Sequence, residues 1–312
     1  IVDIFVCYFG KKGDVKIDIN PEEVMSTKWI KIEKLISEIK KSPDQFTPWI
    51  KIYMNKYRKI LFKHLDGIVC IPTVLALHKI QILDFIFKKK IFSINDILKR
   101  KKINPGYLSI SLRTLRSLDM IDFNPQNDEL SHKYIIKNNF KKIFNDINII
   151  NNIQEILINH NEFINLSEDE LNNYLDTILK INLNKLGNQI QESSYNYIEG
   201  IIIGPLLANL TFYKHVKLDL KNRIVKINIK GRSKKIIYKI FQNVDYLDRN
   251  NKLSIKGEYF LSKSSSYGVT VSYLNTLNNI DKILTTNPDY IWERTIDNHE
   301  IHINRSMNVW GS

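Results

Sequence analysis

One stretch of this chain occurs twice, and that limits what it can fold into. Residues 64–77 (HLDGIVCIPTVLAL) align without gaps on residues 197–210 (YIEGIIIGPLLANL). Gly, Ile, Pro and Leu coincide at four positions, and an acid, Asp66 or Glu199, precedes each glycine. Each copy leads to a similar later turn, Asp119–Met120–Ile121–Asp122 in the first and Asp245–Tyr246–Leu247–Asp248 in the second. Self-similarity of this kind signals a duplicated supersecondary unit, and two copies are too few for a solenoid. The shared Gly-x-x-x-x-Pro suits a close helix crossing at Gly67 and Gly200, with Pro72 and Pro205 starting or kinking the next helix.

Periodicity fills in the unit. The first copy reads as helices near 72–87, 93–101 and 105–119, followed by a hairpin over 120–135. Ser93 is placed to cap the second of these, with Asp96 three residues on. Leu108, Leu112, Leu115 and Leu118 form the buried stripe of the third, and 124–128 is the hairpin loop. Three helices and a wing make a winged helix. The second copy repeats the ending, with a last helix over 234–244, a wing turn at 248–252 and Gly257 closing it. Residues 138–190 are rich in Asn, yet Ile and Leu recur at helical spacing, and Ser167 with Glu170 forms a capping box. The region reads as helical, not as a flexible linker.

Residues 1–57 have a different texture. Strands are expected at 1–9, 15–19 and 27–30, then a helix with Ile32, Leu35, Ile36 and Ile39 on one face, stopped by Pro43. A second helix is expected from Pro48.

Composition bounds the function. Of 312 residues, 43% are hydrophobic and 25% charged, a globular balance. The net charge of +13 would ordinarily suggest a polyanionic partner. Lysine, however, outnumbers arginine 37 to 9 and the chain has two alanines, the pattern of an AT-rich coding sequence. Two cysteines, Cys7 and Cys70, build neither a disulfide framework nor a four-thiolate zinc site. The longest apolar runs, such as 200–207, fall short of the roughly 20 residues a membrane span needs, and a cytoplasmic location is expected. The chain opens at Ile1 in a strand pattern and stops at Ser312 directly after Met307–Asn308–Val309–Trp310, with no helix or tail expected to close the fold, so a piece of a longer polypeptide is expected.

Two resemblances follow from particular residues. Asn20–Pro21–Glu22–Glu23–Val24, Trp29 and Phe46–Thr47–Pro48–Trp49 make residues 1–57 resemble the C-terminal third of a type I isopentenyl-diphosphate isomerase, a Nudix-fold enzyme. The resemblance implies that Trp49 faces the substrate, where an indole face stabilises a desolvated carbocation by about 2 kcal/mol or more. That family's Nudix box, catalytic cysteine and histidine ligands are absent here, so no catalytic residue and no metal site are assigned. Residues 58–312 look like the region preceding the cofactor domain of S-adenosylmethionine-dependent methyltransferases of polyketide-type biosynthesis. The likeness is carried by 64–77, the winged helix after it, 265–274 and 300–312. It implies a dimerising, substrate-lining region whose glycine-rich cofactor turn lies elsewhere.

Two other chemistries were weighed. A DNA-reading third helix should carry polar side chains along its outer face, but 105–118 offers Arg113, Arg116 and a few hydroxyls among apolar residues, so a tandem winged-helix nucleic-acid binder is kept as an alternative reading and nucleic acid is not the expected partner. His299 and His302 beside Glu300 and Asp297 would share one side of a helical turn, but no third ligand is specified and no metal is expected.

The expected protein is mainly α with small α+β parts: a truncated Nudix remnant followed by duplicated winged-helix-like modules and connecting helices. The divisions are 1–57 for the isomerase remnant, 58–137 for the first module, 138–190 for a helical connector, 191–285 for the second module, and 286–312 leading into a cofactor domain. The piece itself binds no cofactor in this reading, and the parent would use S-adenosylmethionine and, for the isomerase domain, a divalent metal. Expected partners are a second copy, through the winged-helix region, and a small lipophilic isoprenoid or polyketide substrate lined by Trp49, His302 and Arg305. The apolar faces of 68–77 and 201–210 suit a dimer interface or substrate wall, and a monomer core slightly better.

Overall fold

The computed structural model describes residues 22, 30–47, 50, 54–144, 146–161, 163–286 and 288–312. Cys7, Trp29, Pro48, Trp49 and the strands expected within 1–29 lie outside them. The chain divides into two compact units, 1–59 and 60–312.

In the first unit the expected helix is α1 (Ile32–Lys41). Leu35 is buried while Glu33, Lys34 and Lys40 face solvent. Ser42 ends it by donating its N–H to the Glu38 carbonyl, and Pro43–Gln45 turn away as a 3-10 helix.

The second unit is dominated by a long helix, α2 (Lys56–Lys79), which continues unbroken past Pro72. Pro72 therefore does not start a helix, the first of the two roles its sequence position suggested, but lies inside one. A proline in a helix interior costs about 3 kcal/mol, and burial of nearly every residue from Gly67 to Leu77 outweighs it. By length and composition α2 could cross a membrane, contrary to the reading of short apolar runs, but 61% of its apolar window is buried inside this fold. It reads as a core helix.

After α2 come α3 (Leu83–Lys89), β1 (Ile91–Phe92), α4 (Ile94–Leu98) and α5 (Pro105–Ser117). The antiparallel strands β2 (Ile121–Asn124) and β3 (Lys133–Ile136) follow. The sheet order is β1-β3-β2, with Ile91 opposite Ile135 and Phe123 opposite Tyr134. Leu108, Leu112 and Leu115 of α5 are buried, and Phe92 stacks on Tyr134 at 5.6 Å. Ser93 and Asp96 close a capping box that starts α4. Three short helices, a small sheet and a wing make a winged helix.

The connector is helical: α6 (Asn138–Phe144), α7 (Ile147–Asn161), α8 (Glu168–Lys180) and α9 (Leu183–Gly187). Ser167 and Glu170 form the capping box of α8. The second copy then begins with α10 (Glu192–Phe212), which carries Pro205 inside it as α2 carries Pro72. A hairpin of β4 (Val216–Asp219) and β5 (Ile224–Ile227) replaces α3, β1 and α4 of the first copy. The long helix α11 (Gly231–Asn243) has 13 residues, as does α5. Leu247 pairs with Leu253 across the wing turn. Gly257 does not close that turn; it lies inside α12 (Ile255–Ser262), where a side chain would strike the Tyr246 carbonyl. The connector packs on this copy through Ser233 Oγ donating to Asn172 Oδ1 at 2.8 Å and through the Arg232–Asp176 pair.

The duplication is visible in detail. A Cβ on Gly67 would strike the backbone of Tyr197, and a Cβ on Gly200 would strike the backbone of His64. Tyr197 and His64 are the first positions of the two aligned copies, so α2 and α10 cross with reciprocal contacts. Both helices end alike, with Ile82 N–H on the Leu77 carbonyl and His215 N–H on the Leu210 carbonyl, each 2.8 Å. The residues before these two donors, Gln81 and Lys214, are left-handed at φ of 62° and 60°. The later turns match as well, with Asp119 at φ 59° and Asp245 at φ 57°.

The chain finishes with α13 (Gly268–Ser272), α14 (Leu274–Leu277), α15 (Ile280–Thr285) and α16 (Arg305–Gly311). α16 stands where no helix was expected. Asn304 caps it by accepting from Met307 N–H, and Gly268 and Gly311 let α13 and α16 approach at backbone distance.

Candidate functional site

The helix crossing places ionisable groups in the core. Glu199 precedes Gly200 on α10 and is fully buried, as is His64 on α2. An isolated carboxylate there would be costly, and Lys256 of α12 answers it with Nζ at 2.8 and 3.1 Å from the two carboxylate oxygens. His64 Nε2 lies 3.8 Å from Glu199 Oε2, and its Nδ1 is 2.7 Å from the Tyr267 hydroxyl. The imidazole stacks on Phe260 at 4.9 Å, and Phe260 stacks on Tyr246 at 5.4 Å.

Burial pushes the Glu199 carboxyl up, but His64 and Lys256 outweigh it and hold the group below the usual carboxylate range. Burial, then the Glu199 charge, raises the Tyr267 phenol well above its ordinary value. Tyr267 therefore keeps its proton, with its hydroxyl in hydrogen-bond contact with His64 Nδ1. Burial first, then Glu199, also raises the Tyr195 phenol one turn earlier on α10. With His64, Glu199, Tyr246, Phe260 and Tyr267 all sealed from solvent, the cluster has no access to a substrate. Its chemistry is that of a lock, an ion pair and a hydrogen-bonded stack tying α2, α10, α12 and the 264–267 turn together.

A separate cavity of about 50 Å³ is lined by His160, Asn209, Tyr213, Ser272 and Asn304 among others. That is room for a small number of waters. Burial pushes the His160 imidazole down to about 3, so it is neutral, and its Nδ1 lies 2.9 Å from Asn209 Nδ2.

The residues singled out from sequence fall apart from the buried cluster. Trp49 is outside the described residues. His302 packs edge-on against Trp292 at 5.1 Å, and its carbonyl accepts from Thr276 Oγ1 at 2.9 Å. Arg305 is exposed and pairs with Glu300, Nε to Oε2 2.8 Å. His299 and His302 do not share a helical turn: Glu300 bridges to Arg294 in an antiparallel pair. Among the described residues no three His, Cys, Asp or Glu side chains gather as a metal site. Arg113 and Arg116 are exposed on α5, Arg116 resting on the Phe123 ring at 4.6 Å. Sequence reasoning missed Lys256 and His64 as partners of Glu199, and Tyr267 as the partner of His64. The available signal was an acid inside an otherwise apolar helix, which requires a cation from elsewhere in the chain.

Comparison with known proteins agrees with a mainly helical protein containing a winged helix. A family described as the AprA N-terminal domain matches residues 57–123, and one described as the AprA winged helix domain matches residues 199–287. Among curated proteins the chain is similar to proteins named isopentenyl-diphosphate Delta-isomerase. That of Ruegeria pomeroyi is 36% identical over 62 residues, 20% of this chain and 33% of the relative. That of Rhodobacter capsulatus is 49% identical over 43 residues, 14% of this chain and 24% of the relative. That of Jannaschia sp. is 40% identical over 63 residues, 20% of this chain and 35% of the relative. The chain thus spans about a third or less of the length of these curated relatives.

Proposed function

We propose that residues 58–312 are the non-catalytic, substrate-lining scaffold of an S-adenosylmethionine-dependent methyltransferase, joined behind the tail of an isopentenyl-diphosphate isomerase domain. The observation that carries the first half is convergence. Three of the four parts on which the methyltransferase likeness rests, 64–77, 265–274 and 300–312, meet in one block: His64 bonds Tyr267, and α13 packs on α16 through Gly268, Gly311 and the Asn308–Ser272 bond of 3.1 Å. Segments far apart in sequence that assemble into one core behave as one structural module. The curated relatives' names support the second half.

In this reading S-adenosylmethionine and the isomerase metal bind other polypeptide, and Trp49, His302 and Arg305 face substrate only in the parent. Two copies would associate through a surface other than the apolar faces of 68–77 and 201–210, because those faces are already buried within the chain.

The test is direct. The purified chain is assayed for methyl transfer from labelled S-adenosylmethionine, for binding of that cofactor by calorimetry, and for isomerisation of isopentenyl diphosphate. All three are expected to be absent. Sustained turnover, or stoichiometric cofactor binding, overturns the scaffold reading.

A further inference from the structure

Positive charge is concentrated at one place on the first winged helix. Between residues 84 and 102 stand seven cations, Lys88, Lys89, Lys90, Lys99, Arg100, Lys101 and Lys102, against two carboxylates, Asp84 and Asp96. The fold brings the two basic runs together over one aromatic ring: Arg100 lies 4.6 Å and Lys89 5.9 Å from the Phe85 centroid. Asp96 is spent on capping α4 and on Lys89 at 2.6 Å, and Lys101 donates to the Ile80 carbonyl at 3.0 Å. Lys88, Lys90, Lys99 and Lys102 are exposed, and among the described residues none of them has an ion-pair partner. Helix C-termini attract a cation or two, which accounts for part of this number and not for four unpaired lysines.

Apolar surface adjoins the ridge. Ile91, next to Lys90 on the edge strand β1, is 52% exposed, and Ile135, its cross-strand partner, is 37% exposed. An apolar centre with a charged rim is the anatomy of a protein–protein contact. Nucleic acid fits less well, because a winged helix reads the groove with its third helix. Here that helix, α5, presents Ile110, 49% exposed, with Arg113 and an Arg116 already lying on Phe123.

We propose that Lys88, Lys90, Lys99 and Lys102, with Ile91 and Ile135 at their edge, dock an acidic amphipathic helix of a partner protein. The lysines meet carboxylates on the helix flanks, and the isoleucines take its apolar stripe. The lysines set encounter rate and orientation, and the isoleucines prolong the complex.

The experiment measures fluorescence anisotropy of a labelled helical peptide with glutamates on one face and leucines on the other, titrated with the full chain. Polyglutamate of equal charge and a double-stranded oligonucleotide are the comparators. The peptide is expected to bind more tightly than either, with affinity falling as salt rises. Reversing the four lysines (Lys88→Glu, Lys90→Glu, Lys99→Glu, Lys102→Glu) should weaken the peptide by at least about tenfold, roughly 1.4 kcal/mol. Ile91→Ser with Ile135→Ser, a variant that leaves the charges in place, should weaken the peptide and leave polyglutamate unchanged. Reversing four exposed lysines elsewhere, Lys226, Lys234, Lys235 and Lys239, should change nothing. The proposal falls if that control weakens binding equally, if polyglutamate or the duplex binds as tightly as the peptide, or if the peptide does not bind.

Discussion

Gly67 and Gly200 give the sharpest handle on this fold. Replacing a helical glycine by alanine in isolation stabilises by about 1 kcal/mol. Here the added methyl at Gly67 meets the Tyr197 backbone, and at Gly200 the His64 backbone. Overpacked sites cost about 1–3 kcal/mol, and a backbone neighbour cannot rotate out of the way, so the upper end applies. The helix-propensity gain returns about 1 kcal/mol, leaving each variant destabilised by about 2 kcal/mol. For a unit of this size that lowers the melting temperature by roughly 4–8 °C. Gly106→Ala is the internal control: Gly106 is exposed in the first turn of α5, and its Cβ would meet only the Asn104 Oδ1 at 3.3 Å. It should melt at or slightly above the parent. The two crossing glycines face each other's helices, so the double variant should lose less than the sum of the singles. Calorimetric melting of the four variants and the parent checks this. If Gly67→Ala and Gly200→Ala melt at or above the parent temperature, the close crossing is not what holds α2 to α10.

Three further outcomes follow from the buried groups. Glu199→Leu should destabilise by about 3 kcal/mol by leaving Lys256 unpaired near the core, and adding Lys256→Met should recover part of that loss in urea titrations; an additive double variant would show that the pair is not coupled. His160 is held neutral in the fold, with its folded pKa depressed to about 3 from the ordinary 6.5. Below 6.5 the unfolded chain takes up a proton that the folded chain refuses, so stability falls with pH through that window, on the order of 3 kcal/mol by about pH 4. His160→Gln should flatten that part of a stability–pH curve, and an unchanged slope refutes the assignment. Burial first, then Asp66, pushes the Cys70 thiol up to about 12, so iodoacetamide at about pH 8 should leave Cys70 unlabelled in the folded chain and label it in denaturant, as mass spectrometry of its peptide would read.

What the sequence made legible was whatever depended on local spacing. The two Gly-x-x-x-x-Pro segments announced a helix crossing, Ser93 and Ser167 announced their caps, and the leucines of α5 announced its buried face. The prolines misled only as helix starts, because propensity is weaker than the burial along α2 and α10. Gly257 misled because glycine serves both turns and close packing, and only the Tyr246 carbonyl decides between them. α16 went unseen because seven residues carry little periodic signal, although Asn304 was a usable cap. The buried cluster was the least legible part. Its members are scattered from His64 to Tyr267, and only their assembly makes one acid inside an apolar helix tolerable.

The reciprocal contact between the two glycines is the geometry by which two identical subunits related by a dyad meet. Here both halves ride on a single polypeptide, so the encounter is intramolecular, with an effective concentration that a tether sets in the millimolar range. Dilution cannot separate them. Freed from the need to match itself, each half can differ from the other, one carrying α3, β1 and α4 where the other carries a hairpin.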